Sequence, residues 1–413
     1  MTTAPSKDSA ATELPLPEKR YEPDSIGPLA GVRVLDLTRH VSGGQLGLVL
    51  ADLGAEVIKV EQPGKGDGLR RATVKGFDAY WRAYGRNKKS VALNLRDERG
   101  RELLMRLVEG ADVLTENFTP GVLEQITGGI DELHARNPKL VVVRISGWGQ
   151  TGPRAKRPGF GTLGEAYAGF TYLNGYADQA PIPPPLSLAD TVAGTYAASA
   201  ALGALYNVKV NGGEGQVVDV SLFEPLFSIM GPDSTSYANS GTRRFRGEGT
   251  KVSSVRGAFE TKDGRYIAIS AATPEMARRF FTGIGLDEVL EDERFSTPEA
   301  RHENRLALND LLASEFRKHT RDELLEFAEE HRVTVGPVND IVDILGDEHY
   351  LARETVVRME DGVVMPSPVP RLSGTPLAIR RPAPSLGEQS EAILTELGIE
   401  PGELAQLRAD GIV

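Results

Sequence analysis

Residues 31–61 read "GVRVLDLTRHVSGGQLGLVLADLGAEVIKVE". "VRVLDL" is a short apolar run with β-branched residues, bounded by Gly31 and by "TRHVSGG". "QLGLVLADLG" has its apolar residues at helical spacing and ends at Gly54, which suits a left-handed C-terminal cap. "EVIKVE" is a second apolar strand. Strand, helix and strand in 31 residues make a βαβ unit, and apolar runs of this kind belong inside a parallel sheet.

The alternation continues outward. "KKSVALNL" predicts a strand, "ERGRELLMRLVEGA" an amphipathic helix and "DVLTENF" a further strand. "TPGVLEQI" opens a helix with Pro120 in its first turn, and "LVVVRISGWG" is the most strongly β-branched segment of the chain. Short connections between alternating elements predict a large Rossmann-like, doubly wound α/β domain.

The texture changes after Gly161. "TLGEAYAGFTYLNG" and "DTVAGTYAASAALGALYNV" predict helices rich in Ala and Gly, whose small side chains allow close packing, and "QVVDVSL" returns to strand. Further on, "GAFETKDGRYIAIS" predicts a hairpin turning at "KDG", followed by mostly helical sequence. The resulting division is a flexible arm at 1–28, a large α/β domain at 29–225 completed by 375–413, a linker at 226–245, a smaller α+β domain at 246–345 and a return linker at 346–374.

Bulk composition excludes several classes of function. A formal charge of −11 argues against a nucleic-acid or anionic-membrane surface. There is no cysteine, so disulfides, thiolate metal sites and a cysteine nucleophile are absent, in keeping with a cytoplasmic protein. The six histidines stand apart without HxH or HxxxH spacing, which disfavours a metal site. The N-terminus lacks the apolar core of a secretory signal, and no apolar run reaches the roughly 18 residues of a membrane span.

Three stretches carry candidate chemistry. "YGRNKKSV" places Arg86, Lys88 and Lys89 in one short segment, and "GPRAKRPGFG" adds Arg154, Lys156 and Arg157. Two basic loops in an acidic chain point to an anionic, phosphate-bearing ligand. The third is "PLSLADTVAG", where Asp190 opens a run of small residues. Asp at such a position is either a helix N-cap or a carboxylate nucleophile, and the two roles are compatible. Glu165 and His40 are the other candidates for acid–base or nucleophilic work.

These segments, with "LADLGAEVIKVEQPGKGD", "VLTENFTPGVLE", "GEGQVVDVSLFEP", "VTVGPVNDI" and "PSLGEQSEAILTELG", occur in an order that resembles the class III (formyl-CoA transferase-like) CoA-transferase family. That family also includes α-methylacyl-CoA racemases. The resemblance runs from about residue 29 to the C-terminus. It implies an acyl-CoA:carboxylate CoA-transferase with Asp190 as nucleophile, working through an aspartyl anhydride and then an aspartyl-CoA thioester. It implies coenzyme A contacts from His40, Val41 and Ser42, from Asn87, Lys88 and Lys89, from Asn117, Phe118 and Thr119, and from Arg157 and Phe160. CoA or acyl-CoA enters as substrate, with no tightly bound cofactor and no metal.

Three departures qualify the resemblance. Gly161 stands where many family transferases carry an acidic residue. Phe160 stands where the racemases place a His, which weighs against two-base racemase chemistry. Gln62 and Gln125 stand where relatives often use Arg for CoA phosphates. The alternatives are an acyl-CoA racemase or isomerase of the same fold, or a non-catalytic CoA-binding subunit of a heteromeric transferase. The family fold implies an interlocked, intertwined-ring homodimer, with a heteromer of related subunits as the other arrangement. An acyl-CoA donor and a carboxylic-acid acceptor are the remaining partners, with "KVSSVRGAFE" and its Arg256 as candidate lining for their pocket.

Overall fold

The computed structural model describes residues 14–247, 255–271 and 273–413. The chain forms two compact units. The larger comprises Leu16–Asn174, Pro181–Arg243 and Glu354–Val413, and the smaller is built mainly from Arg244–Arg353. The "KVSS" half of the candidate pocket segment lies outside the described residues.

The larger unit is organised by a six-stranded parallel sheet: β1 (Arg33–Asp36), β2 (Glu56–Glu61), β3 (Lys88–Ala92), β4 (Val113–Glu116), β5 (Val141–Ser146) and β6 (Val217–Ser221). The spatial order is β3-β2-β1-β4-β5-β6, the order of dinucleotide-binding folds, so the direction of winding reverses between β1 and β4. Leu35 is in register with Ile58 on one side and Leu114 on the other.

Alternation along these strands separates two cores. Leu35, Ile58, Leu114 and Val142 face a layer made by the Glu98–Glu109 helix and the C-terminal helices Ser390–Glu396 and Pro401–Ala409. Val34, Val57, Val113 and Val141 face the opposite layer, made by the helices His40–Asp52 and Leu188–Lys209. This is the three-layer, doubly wound arrangement that the βαβ pattern predicts. The first helix is stopped as expected, by Gly54 in the left-handed region at φ 104°.

Small residues set the distance between the two helices of the second layer. Gly194 faces the backbone carbonyl of Ser42, and a Cβ there would meet that oxygen at 2.5 Å. Ala193, Ala197, Ala198 and Ala201 are all fully buried. The Ala/Gly-rich stretch thus allows the helix carrying Asp190 to approach the helix carrying Ser42.

Part of the N-terminal segment is built into the fold. Leu16 is buried, and Glu18–Lys19 pair with Arg358–Met359 in a small three-stranded sheet. Pro120 lies just ahead of its helix, Val122–Thr127, and Gly121 occupies the N-cap.

In the smaller unit, the strands Val255–Glu260, Tyr266–Ala271 and Val335–Pro337 form an antiparallel sheet, the first two joined as a hairpin. Phe259, Phe280, Phe281 and Phe316 fill the core between this sheet and the surrounding helices. Arg256 is exposed on the first of these strands.

Candidate active site

A cavity of about 970 Å³ opens at the carboxyl ends of β1 to β5, beside the β1/β4 switch point. Open parallel sheets bind ligands at this edge. Of the residues assigned from sequence, His40, Ser42, Asn117, Phe118, Thr119, Phe160 and Asp190 line it.

The turn from β1 into the first helix positions the first two. His40 has a left-handed backbone, φ 59°, and its N–H donates to Asp67 Oδ1 at 3.2 Å. Its ring packs against Gly68, where a Cβ would overlap Cε1. Asn117, just past β4, clamps the same turn: its Oδ1 accepts from Arg39 N at 2.8 Å, and its Nδ2 donates to Arg39 O at 2.6 Å and to Ser42 Oγ at 3.2 Å. The Ser42 hydroxyl in turn faces the Asp190 carboxylate and favours its ionised form. A chain of polar contacts therefore runs from a loop at the switch point to Asp190.

Asp190 is not the N-cap of its helix. Ser187 occupies that position and makes no side-chain bond to the helix, while Asp190 lies within the first turn. The amide of Ala189 donates instead to Glu165 Oε1 at 3.2 Å, so a side chain from the Gly161–Tyr167 helix caps the long helix. Burial pushes the Asp190 carboxyl up to about 6; Glu165 adds to the rise, while His40 and the Ser42 hydroxyl oppose it. Gly161 gives the carboxyl its space, since a Cβ on residue 161 would overlap Asp190 Oδ2.

The structure does not bring Val41, Asn87, Lys88, Lys89 or Arg157 to the cavity. Lys88 is buried, with its Nζ 3.1 Å from Asp36 Oδ2. Asn87 bonds Asp52 Oδ1 and the Ala378 carbonyl, and accepts from the amides of Arg380 and Arg381. Lys89 pairs with Glu56, and Arg86 with Asp52 at 2.6 Å. The basic segment is thus neutralised inside the fold. Lys59 completes this network, 3.2 Å from both Asp36 and Asp67. Burial opposes ionisation of Asp36, but Lys59 and Lys88 outweigh it and hold the carboxyl down at about 2. Arg157 is exposed.

Besides Lys59, whose ammonium is held by Asp36 and Asp67, the cations that line the cavity are Arg39, Lys65, Arg71, Arg96 and Arg101. Among the described residues none of these five pairs with a carboxylate; Arg71 donates to the Lys65 carbonyl and Arg101 to the Arg96 carbonyl. Arg39 also lies over the Phe118 ring at 5.4 Å. A signal for them exists in the sequence. "QPGKGDGLRR" and "LNLRDERGR" follow β2 and β3, at the ligand edge of a parallel sheet, whereas "YGRNKK" runs into the start of β3, at the opposite edge. Gln62 and Gln125 are on the same wall. Ser146, at the end of β5, also lines the cavity, and among the described residues its buried hydroxyl has no hydrogen-bond partner.

CoA-transferase family III matches residues 29–390, so the chain belongs to that family. It is 38% identical over 396 residues to the succinyl-CoA–D-citramalate CoA-transferase of Chloroflexus aurantiacus, covering 94% of this chain and 98% of that protein. It is 36% identical over 398 residues to the alpha subunit of that organism's succinyl-CoA–L-malate CoA-transferase, covering 94% and 92%. Among solved structures, a CaiB/BaiF family protein from Brucella suis superposes with a TM-score of 0.80 at 33% identity, covering 90% of this chain and all of that one. The protein is a CoA-transferase acting on acyl-CoA thioesters. Among the described residues, no helix is long and apolar enough to cross a membrane.

Proposed function

We propose that the enzyme moves CoA from succinyl-CoA to a short dicarboxylic or hydroxy-dicarboxylic acid, through covalent intermediates on Asp190. The donor and acceptor classes rest on the names of the two relatives above. The observation that carries the covalent reading is the Asp190 carboxylate itself. It is partly desolvated in the cavity, faced by the Ser42 hydroxyl, and of raised basicity.

An Asp190 oxygen attacks the thioester carbonyl carbon, the C–S bond breaks, and CoA leaves as thiolate. The thiolate attacks the Asp190 carbonyl of the mixed anhydride, expelling the donor acid as carboxylate and leaving an aspartyl-CoA thioester. The acceptor carboxylate attacks that thioester to form a second anhydride, which the thiolate opens at the acceptor carbonyl to regenerate Asp190. Arg39, Lys65, Arg71, Arg96 and Arg101 hold the CoA phosphates, and Phe160, 74% exposed on the cavity wall, covers the thioester end.

The functional unit in this reading is an interlocked homodimer. Its support is the apolar surface of Tyr196, Tyr206, Phe227, Ile229 and Tyr237, all exposed on the larger unit. Light scattering of the purified chain should give twice its mass.

The chemical step is tested by incubation with succinyl-CoA, borohydride or hydroxylamine quenching, and peptide mass spectrometry. Modification at Asp190 is expected. An unmodified Asp190 in protein that still turns over would sink the covalent route.

A further inference from the structure

Glu165 has no part in the chemistry described so far, yet it is 2% exposed and lies beside the Asp190 turn. We propose that Glu165 is a positioning residue of the transfer reaction: it fixes the Asp190 turn through the Ala189 amide and keeps a second negative charge beside Asp190, a repulsion that acylation of Asp190 relieves. This rests on the reading of Asp190 as nucleophile.

Geometry places the two carboxyls together. Gly161 and Glu165 are four residues apart and share a face of the Gly161–Tyr167 helix. The Asp190 carboxyl occupies the space of the missing side chain at 161. One turn on, Glu165 Oε1 accepts from the residue before Asp190. Gly164 allows this closeness, since a Cβ there would sit 3.3 Å from Ala189 Cβ.

Neighbouring elements leave the pair unneutralised. No cation pairs with Glu165 among the described residues. From the first helix, His40 and the Ser42 hydroxyl face Asp190 and partly offset the repulsion. Tyr84 stands on a further side, its phenol raised by burial and by Asp190. Elsewhere around the long helix, Arg144 is paired with Glu116 and Glu124, Asp219 holds the Gln150 amide, and Glu224 bonds Ser221.

The consequence follows from charge. Free Asp190 carries a full negative charge next to Glu165. In the anhydride and in the aspartyl-CoA thioester its carbonyl is neutral, the displaced charge having left on the thiolate or on the donor acid. Repulsion thus raises the free carboxylate relative to both covalent states, favouring attack and accumulation of acylated enzyme.

Glu165→Gln separates the two roles, because the amide oxygen can still accept from Ala189 while the charge is gone. The experiment titrates Asp190 by ¹³C NMR of protein labelled at aspartate carboxyls, with Asp190→Asn identifying the resonance. In parallel, hydroxylamine measures the fraction of enzyme acylated at equilibrium with succinyl-CoA. Glu165→Gln is expected to lower the Asp190 midpoint by about one pH unit and the acylated fraction by roughly tenfold, with CoA affinity unchanged. Glu165→Asp, which keeps the charge, should restore the midpoint. An Asp190 midpoint unmoved in Glu165→Gln would overturn the proposal, whatever happens to activity. Absence of label on wild-type Asp190 would instead overturn the nucleophile reading, and the NMR arm would still decide whether Glu165 acts on Asp190.

Discussion

The Asp190 carboxylate occupies the volume that a side chain on Gly161 would require, because a Cβ at 161 would overlap Asp190 Oδ2. The glycine is at the first position of a helix and its φ is not positive, so alanine is compatible with the backbone there. Gly161→Ala should therefore leave the fold intact while displacing the carboxyl by an ångström or so. A loss of about 10²-fold in kcat is expected, with a melting temperature changed by only a few degrees. Steady-state rates and thermal melts read the two separately, and full activity would mean that the carboxyl works elsewhere.

Asp190→Ala removes the acyl acceptor but leaves the cationic wall of the cavity in place. Transfer should fall by about 10³-fold or more, while CoA affinity stays within a few-fold of wild type. Calorimetric titration with CoA beside a coupled transfer assay checks both. Retained turnover would dismiss Asp190 as the nucleophile.

The raised Asp190 carboxyl makes a signed prediction about stability. Its folded pKa of about 6 lies above the ordinary 3.8, so between these values the native state holds a proton that the unfolded chain has released. The group's contribution is therefore fully present below pH 3.8 and is lost as pH rises through 6. Asp190→Asn should be more stable than wild type by up to about 3 kcal/mol at pH 7, and the difference should shrink toward pH 4. Urea denaturation at the two pH values measures it. The acid limb of kcat/KM should fall in the same window, since only the carboxylate attacks.

Lys88 and Arg71 separate structural from ligand-binding cations. Lys88→Met leaves Asp36 with one of its two ammonium partners in a fully buried position, and a loss of about 3–5 kcal/mol of stability is expected. Arg71→Ala should leave stability unchanged and weaken CoA binding by roughly tenfold, an effect that diminishes at high salt. If Lys88→Met instead weakened CoA binding with no loss of stability, the buried-pair assignment would fail.

Residues 31–61 contain enough to establish the first βαβ unit, and the alternation through residue 149 extends it to a doubly wound sheet, because β-branched strands and a glycine-capped helix follow from local sterics and hydrophobic periodicity. Asp190, Ser42 and Asn117 were legible through motif order. The carboxylate-pairing role of Asn87, Lys88 and Lys89 was not. A basic tripeptide looks alike whether it meets phosphate or carboxylate, and its partners Asp36, Asp52 and Glu56 lie 30 or more residues away in the chain.

By itself, the sequence determined the βαβ order, the small-residue helix behind Asp190 and the absence of thiol chemistry, all of which depend on residue type and near spacing. Only the tertiary structure decided which cations face the cavity, that Ser187 rather than Asp190 is the N-cap, and that Glu165 caps the Asp190 turn. Those outcomes depend on distances between segments far apart in the chain. Burial and neighbouring charge set what a carboxylate or an ammonium does, and both exist only once those segments have packed together.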